Sequence, residues 1–373
     1  MHNNVNTMIN RIVFIESGLG NTNNIKRMEE FAANGYDITV YAFDRGDNAK
    51  NAPKGMLVHI VGELSSDSSY ISRIGILLRG VQKVLDFHRD EECIFYLFRN
   101  DIAQVFTSLS RRPYIFEEAD MTHLNLNNRL LRYLMEWNVK RIIKNSILSV
   151  FRSEGFLLYH FGSKRPDNVY VIPNRLHPDV MDLPEVKKKE LNNNCISFGF
   201  VGVIRYDTIL SFTNTVLSHF PQHEFHFFGN YPSKKMENRF EQLKQYSNCH
   251  FHGVFKSPED LPDIYSKIDV LLSTYDVSAI NPRYAEPNKL YEAIYFDTPI
   301  IVSSNSFLSD KVRNLGIGYD VDARNEDSVI SLVERITPDD IILKRERISS
   351  IDKKTCINKN DAFFEKLKKK CCN

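Results

Sequence analysis

Short apolar runs alternate with helical segments along the whole chain, and this pattern constrains the fold more than any other feature. The run Arg11–Glu16, "RIVFIE", precedes a glycine turn and a helical stretch, and "YDITVYAFD" follows as the next apolar run. Short strand–helix–strand connections of this kind require a parallel sheet that is covered by helices on both faces. The predicted fold class is therefore α/β, with Rossmann-like, doubly wound sheets.

The same alternation begins a second time after the middle of the chain, at "CISFGFVGVI". The two series meet near "PNRLHPDVMDLPEVKKKELNNN", where proline, charge and asparagine cluster and the periodicity is lost. A chain of 373 residues is also too long for one ordinary core. We predict a first domain over residues 1–180 and a second over 181–355. Residues 356–373 are expected to form a C-terminal helix and tail that pack back on the first domain.

Composition excludes several classes of protein. A net charge of +1 without a basic domain argues against a nucleic-acid partner. The six cysteines are scattered without a CxxC pair, which is typical of reduced thiols in a cytoplasm. No apolar run approaches the length that crosses a bilayer, and the N-terminus lacks the apolar core of a signal peptide. We expect a cytoplasmic protein that is at most peripheral to the inner face of the plasma membrane.

A glycine loop, "SGLGNTNN", follows the first predicted strand. Gly18 and Gly20 are spaced as in a dinucleotide fingerprint, and Asp44 closes the second strand where a ribose-binding acid would stand. Asn23 takes the place of the third glycine, which weakens this interpretation. Two alternatives remain open: a tight turn that needs glycine, or a loop that contacts a ligand held mainly by the second domain.

The stretch "PNKLYEA" has the features of an anion site at a helix start. Pro287 suits the first helical position, and the next amides, of Asn288, Lys289 and Leu290, would point unpaired hydrogens out of the helix end. The Lys289 side chain adds a full positive charge, which suits a diphosphate. One turn further on, the Glu292 carboxylate can accept both hydroxyls of a ribose. The alternative is an ordinary surface helix with charged side chains.

A second anchor lies in "GFVGVIRYD". Gly202 ends the first strand of the second domain, and Arg205 follows in the loop at the carboxyl end of that strand. Ligands of open α/β sheets bind at this edge, and the planar guanidinium of arginine can grip phosphate oxygens. The alternative is a surface arginine without a ligand.

The order of "FVGVIR", "FHFFG", "PNKLYEAIYFDTPIIVSS" and "LGIGYDVD" resembles the donor domain of GT-B glycosyltransferases. The chain is most similar to glycosyltransferase family 4 and its relatives in bacterial polysaccharide assembly. "IVFIESGLG" and "VYVIPNRLHP" resemble the acceptor domain of the same group. The resemblance implies a GT-B fold, in which two Rossmann-like domains face a central cleft and the second binds the nucleotide-sugar.

The resemblance also implies residue roles. Glu292 would hold the ribose, Arg205 and Lys289 would stabilise the leaving diphosphate, and backbone groups of Val254 and Phe255 would meet the nucleobase. No metal or other cofactor is expected, since these charges are fixed in the protein. The residues assigned to the donor in this way are Gly18, Gly20, Gly202, Arg205, Val254, Phe255, Pro287, Asn288, Lys289, Leu290 and Glu292.

Two positions depart from the family pattern. The family places a glutamate eight residues before the ribose-binding one, where this chain has Tyr284, with Glu286 two residues away. The family's lysine shortly after the arginine is missing, because "YDTILS" follows Arg205. We expect retention of configuration at the transferred sugar, but both departures bear on that outcome and on the choice of sugar.

The first domain contains acceptor-site candidates in "YIFEEADMTH". Glu118 and Asp120 stand at a predicted strand end, where a carboxylate can take the proton of an acceptor hydroxyl. The alternative is a polar strand end in which Asp120 or Thr122 caps a helix. Neither Asp320–Asp322, "DVD", nor the group His219, His223 and His226 is expected to bind metal, and these histidines are expected on the surface.

A basic amphipathic helix is predicted over "NRLLRYLMEWNVKRIIKN". Its basic stripe contains Arg129, Arg132, Lys140 and Lys144, and its apolar stripe contains Leu131, Leu134, Met135 and Ile142. A helix of this kind either packs its apolar face into the core or lies on anionic lipid.

The resemblance therefore implies a glycosyltransferase that moves a sugar from a nucleotide-sugar, with UDP expected, to a glycan or lipid-linked glycan in cell-surface polysaccharide biosynthesis. One alternative is an NAD-dependent oxidoreductase that uses Gly18, Gly20 and Asp44. The other is a catalytically inactive protein that binds nucleotide-sugars.

Overall fold

The computed structural model describes residues 9–18, 21–45, 55–64, 70–126 and 128–371. The chain forms two compact units, one of Met1–Pro173 with Asn360–Asn373 and one of Asn174–Lys359. The division falls after Pro173, ahead of the predicted boundary at residue 180. The tail from Asn360 belongs to the first unit.

The first unit contains a parallel sheet of seven strands in the order β3-β2-β1-β4-β5-β6-β7. Its strands are β1 Arg11–Glu16, β2 Asp37–Asp44, β3 Val58–Glu63, β4 Ile94–Phe98, β5 Tyr114–Glu118, β6 Leu148–Phe151 and β7 Val169–Val171. Its helices are α1 Thr22–Ala33, α2 Tyr70–Phe87, α3 Asn100–Leu109, α4 Arg129–Asn145 and α5 Glu154–Phe161, with a 3₁₀ turn at Thr122–Asn125. The strand order reverses between β1 and β4, which opens the carboxyl edge at that point.

The second unit repeats the plan with six parallel strands in the order β10-β9-β8-β11-β12-β13. Its strands are β8 Ser197–Val201, β9 Glu224–Phe228, β10 Cys249–Gly253, β11 Val270–Ser273, β12 Ile300–Ser303 and β13 Gly318–Val321. Its helices are α6 Asp207–His219, α7 Lys234–Phe240, α8 Leu261–Ser266, α9 Ile280–Tyr284, α10 Asn288–Tyr295, α11 Phe307–Leu315, α12 Glu326–Val333 and α13 Pro338–Ser349. The predicted α/β class with two doubly wound sheets is confirmed.

The C-terminal helix, α14 (Asp361–Cys371), completes the core of the first unit. Phe363 and Leu367 are fully buried, and the ring of Phe364 meets that of Phe31 edge to face at 5.0 Å. The tail therefore contributes apolar surface to the sheet formed by the first part of the chain.

Helix α4 departs from a core-packed helix in its first half. Val139, Ile142 and Ile143 are buried, but the apolar side chains nearer its start face solvent. The exposed set is Leu130 (69%), Leu131 (44%), Tyr133 (66%), Leu134 (51%) and Trp137 (60%). The predicted apolar stripe is thus only partly used by the core.

No helix in the described part of the chain combines the length and apolarity that a bilayer crossing requires.

Candidate functional site

Three glycines line up where β8, β9 and β10 end. Gly202, Gly229 and Gly253 have φ of 124°, 139° and 79°, values that side-chain-bearing residues rarely adopt. The Gly202 amide donates to the Phe228 carbonyl and the Gly229 amide to the Gly253 carbonyl, both at 2.7 Å. A Cβ on Gly229 would lie 1.9 Å from the Gly202 carbonyl oxygen. The close approach of these strand ends therefore requires glycine at position 229.

Lys289 and Gly202, which are far apart in sequence, meet at this edge. A Cβ on Gly202 would lie 2.8 Å from the Lys289 Nζ, so the lysine head occupies the space that glycine leaves. The Lys289 Nζ also lies 5.2 Å from the centre of the Phe200 ring. Arg205 is exposed, and its guanidinium carbon lies 5.5 Å from the Tyr206 ring. Neither cation forms an ion pair with any described residue, so both charges are available to an anion.

The start of α10 differs in detail from the predicted arrangement. Pro287 is the N-cap residue, one position earlier than predicted, and no side chain caps the helix. The Leu290 amide donates to the Pro287 carbonyl at 3.1 Å, so the prediction that it is unpaired was wrong. Among the described residues, nothing accepts from the amides of Asn288 and Lys289. Two amides and the Lys289 side chain thus converge on one helix end.

Glu292 is held in position one turn into α10. Its Oε2 accepts a hydrogen bond from the Tyr265 hydroxyl at 2.7 Å, which leaves Oε1 to accept from a ligand hydroxyl. Tyr265 is fully buried, and burial together with the Glu292 carboxylate raises the pKa of Tyr265 well above its usual value. The tyrosine therefore stays protonated and keeps the carboxylate oriented.

Glu286 does not replace the glutamate that the family has at the position of Tyr284. Its carboxylate is buried, accepts from the Lys311 Nζ at 2.8 Å and from the Tyr291 hydroxyl, and retains one oxygen without a partner among the described residues. The carboxylate is thus engaged inside the unit rather than presented to a donor sugar.

Residues after β10 offer backbone rather than side chains. Val254 is 79% exposed, whereas Phe255 is half-buried and packs against the core formed by α8, α10 and the sheet. The loop directly follows Gly253, which ends β10 at the same edge as Gly202.

In the first unit, the space at Gly18 is filled by Arg45. A Cβ on Gly18 would lie 2.9 Å from the Arg45 Cδ, and the Arg45 Nε donates to the Ser17 carbonyl at 2.6 Å. Glycine at position 18 therefore leaves room for the Arg45 side chain, a role that the sequence did not predict. Gly20 lies outside the described residues. Asp44 ends β2, beside Glu63 of β3.

A cavity of about 820 Å³ lies next to Arg45 in the first unit. Its polar side contains Arg45, Arg73 and Arg99, with Asp101 3.6 Å from the Arg99 Nε. Asn100 also lines it and is buried with its Nδ2 unpaired among the described residues. Arg99 has a φ of 73°, a strained value for a residue with a side chain. The apolar wall is formed by Ile74, Leu77, Leu78, Val105, Leu126 and Met135. A ligand with an anionic group and an apolar part fits this lining.

The carboxyl edge of the first sheet contains buried ion pairs that the sequence did not predict, although the sequence places Glu117 at a strand end. The Glu117 carboxylate forms ion pairs with the Arg152 Nε at 2.6 Å and with the Arg27 Nε at 3.2 Å. Burial acts to raise the pKa of Glu117, but the charges of Arg152 and Arg27 outweigh it and hold that pKa below its usual value. Burial raises the pKa of Glu16 to about 7, although Asn24 donates to its carboxylate at 2.6 Å. The sequence signal for these buried charges was a charged residue at the end of an apolar run, as at Glu16 and Glu117.

The two acceptor-site candidates have different environments. Glu118 is fully buried, and its Oε2 lies 2.7 Å from the His160 Nε2, so it does not present a carboxylate to solvent. Asp120 is exposed. Met121, not Asp120 or Thr122, is the N-cap of the 3₁₀ turn, and that turn has no side-chain cap.

Two groups of described side chains have the spacing of metal ligands: Glu118 with His123 and His160, and Glu224 with His226 and His250. The surface placement expected for His223 and His226 was wrong, since both are buried. In the sequence, His226 clusters with His219 and His223. In the structure, its neighbours are His250 and His252 on the adjacent strand β10.

Part of the chain matches a family of known proteins. Residues 185–355 match the family model described as glycosyl transferases group 1. No curated protein matches the sequence.

Several solved structures resemble nearly the whole chain. Sucrose-phosphate synthase from Thermosynechococcus elongatus is 15% identical with a TM-score of 0.68, over 96% of this chain and 97% of that one. HepE of Anabaena, solved with UDP-glucose, is 13% identical with a TM-score of 0.63, over 96% and 99%. WaaG, a glycosyltransferase involved in lipopolysaccharide biosynthesis, is 14% identical with a TM-score of 0.61, over 92% and 97%. At these identities the likeness concerns the fold, and it confirms the predicted GT-B architecture.

Proposed function

We propose, from the premise that this chain is a GT-B glycosyltransferase whose second unit is a group 1 domain, that it transfers a sugar from a UDP-sugar to a lipid-linked glycan. The observation that carries this proposal is the meeting of the Lys289 Nζ with Gly202 beside the uncapped start of α10. The choice of UDP is supported by HepE, a structural neighbour solved with UDP and with UDP-glucose.

The chemistry follows from where the charges lie. When the bond between sugar and diphosphate breaks, negative charge develops on the departing phosphate. Lys289, Arg205 and the two unpaired amides at the start of α10 are positioned to stabilise this charge. Since the protein itself supplies the positive charge, we propose that sugar transfer needs no metal ion. Glu292, oriented by Tyr265, would accept from the ribose hydroxyls.

The nature of the acceptor is inferred from the first unit. The cavity beside Arg45 combines arginines with an apolar wall, which suits the phosphate and the first part of the chain of a lipid carrier. The exposed apolar start of α4, together with its basic residues, suits contact with an anionic membrane surface. Both features support a place in cell-surface polysaccharide biosynthesis, with the protein at the inner face of the plasma membrane.

We propose retention of configuration, because Glu118 is enclosed and the departing phosphate can take the acceptor proton instead. Asp120, which is exposed, is the alternative base for an inverting reaction. A second function, nucleotide-sugar binding without transfer, is favoured by one observation: Glu286 is engaged by Lys311 and leaves the position of the family's first glutamate unfilled. The oxidoreductase alternative receives no support from the family match.

A ligand titration tests the donor site. We expect UDP and UDP-sugars to bind by calorimetry, whereas NADH does not. Lys289→Met keeps the stem over Phe200 but removes the charge, and loss of a charge-assisted contact should weaken UDP about 10- to 100-fold. Glu292→Gln should weaken UDP through the ribose. Lys235→Met, an exposed lysine on α7, is the matched control.

Two results would contradict the proposal: NADH binding in place of UDP, or unchanged UDP affinity in Lys289→Met. Hydrolysis of UDP-sugars followed over hours separates an enzyme from an inactive binding protein. Complete inertness combined with tight UDP binding would favour the latter.

A further inference from the structure

Three buried side chains from separate elements of the first unit surround one point. Glu118 is the last residue of β5, His123 lies in the 3₁₀ turn that follows, and His160 lies in α5. Their residues are 0%, 4% and 4% exposed. The fold has therefore brought a carboxylate and two imidazoles together in an environment from which bulk water is excluded.

These groups are incompletely paired with one another. The Glu118 Oε2 lies 2.7 Å from the His160 Nε2, whereas the Glu118 Oε1 is 3.8 Å from the His123 Nδ1, too far for a hydrogen bond. Four buried atoms have no partner among the described residues: the Glu118 Oε1, both ring nitrogens of His123 and the His160 Nδ1. Buried polar atoms are rarely left unpaired, so the cluster calls for a further group.

The ligand chemistry favours a metal ion of the zinc class. Both ring nitrogens of His123 are buried without a partner among the described residues, so one of them can offer a lone pair to an ion. Two imidazole nitrogens and one carboxylate oxygen are an established zinc ligand set. Bonds of about 2.0–2.1 Å in a tetrahedral site place ligand atoms roughly 3.3 Å apart. The separation of 2.7 Å from the His160 Nε2 to the Glu118 Oε2 and that of 3.8 Å from the His123 Nδ1 to the Glu118 Oε1 lie on either side of that value, so either carboxylate oxygen is within reach of a shared ion.

A second group with metal-ligand spacing lies on β9 and β10, and more of its ring nitrogens already have partners. Its His226 already has a partner at each nitrogen, His252 at 3.1 Å and Glu224 at 3.4 Å. His252 is exposed and Glu224 and His250 are half-buried, so water completes this group readily.

We propose that Glu118, His123 and His160 bind one divalent transition-metal ion, with zinc as the reference ion. The site does not depend on the proposed sugar transfer, since it is defined by side chains of the first unit alone. His123 also lines the cavity of about 820 Å³, which gives the ion a route of entry and room for a water as its remaining ligand.

The test uses the full chain without a histidine tag. After chelation, the protein is dialysed against Zn²⁺ and the bound metal is measured by mass spectrometry, and cobalt(II) is added separately to record its visible ligand-field bands. We expect one tightly held ion per chain and a spectrum of four- or five-coordinate cobalt. His123→Gln should weaken binding by more than the about 10- to 100-fold that loss of an outer-shell partner costs.

The matched control is His226→Gln, which alters the second group and should leave the tight site and the cobalt spectrum unchanged. A rise in melting temperature with Zn²⁺ in the wild type, absent in Glu118→Gln, provides a readout that does not require activity. The proposal is overturned if the wild type retains no metal, because buried water then completes the cluster. It is equally overturned if His226→Gln, and not His123→Gln, abolishes tight binding.

Discussion

Replacement of Gly229 by alanine tests the construction of the donor edge most directly. The new Cβ would lie 1.9 Å from the Gly202 carbonyl oxygen, about 1.5 Å short of the 3.4 Å at which ordinary contacts begin. The φ of 139° adds backbone strain of about 1–3 kcal/mol. Relief of the clash requires movement of Gly202, which disturbs two strand-end hydrogen bonds worth about 1 kcal/mol each. We expect an unfolding free energy lower by about 3–5 kcal/mol.

The matched control is Gly316→Ala at the end of α11. Gly316 also has a positive φ, 68°, but a Cβ there meets nothing within 4 Å. Only the backbone cost of about 1–2 kcal/mol applies. Both variants therefore carry a backbone cost of positive φ, but only Gly229→Ala adds a clash.

Differential scanning calorimetry separates the variants. A loss of 1 kcal/mol lowers the melting temperature of a unit of this size by about 2–4 °C, so Gly229→Ala should melt roughly 6–20 °C below wild type. UDP affinity should also fall, because Gly202 underlies the Lys289 head. Equal stability of the two alanine variants, with UDP affinity intact, would refute the geometric argument.

Two further predictions concern a buried lysine and the exposed start of α4. The Lys188 Nζ donates to the Tyr265 carbonyl at 2.7 Å, and burial lowers the pKa of Lys188 to about 7. The native state then binds fewer protons than the unfolded state between pH 7 and 10.5. The unfolding free energy of wild type relative to Lys188→Met should therefore rise with pH by up to about 1.4 kcal/mol per pH unit. A difference in urea denaturation that does not change with pH would contradict this. Trp137, the one tryptophan of the chain, is 60% exposed. Its fluorescence emission should shift to the blue with anionic vesicles but not with neutral ones, and Leu134→Ser should reduce that shift. Absence of a shift would argue against membrane contact through α4.

Local patterns were sufficient to predict much of the fold. The alternation of apolar runs and helical stretches predicts parallel sheets, because short crossover connections allow little else. Parallel strands end at one edge, so the sequence predicts that Gly202, Arg205 and the start of α10 lie together there. The proximity of Lys289 to Gly202 agrees with that expectation.

Other features depended on contacts between distant parts of the chain. Nothing near Gly18 in sequence indicates that Arg45 crosses it, and nothing near Glu118 indicates that His160 accompanies it. The exposure of Leu131 and Leu134 was equally hidden, since helical periodicity defines an apolar face but not whether a neighbour covers it.

The sequence by itself determined the class of fold, the two-unit plan and the edge at which the candidate donor residues gather, because these follow from periodicity and from the direction of parallel strands. Only the tertiary structure decided which charged groups remain available and which are enclosed. Burial and pairing are properties of side chains that meet from different elements. Lys289 and Glu118 look alike as polar residues near strand and helix ends, yet the first is half-buried beside a glycine, without an ion pair to any described residue, and the second is enclosed by histidines.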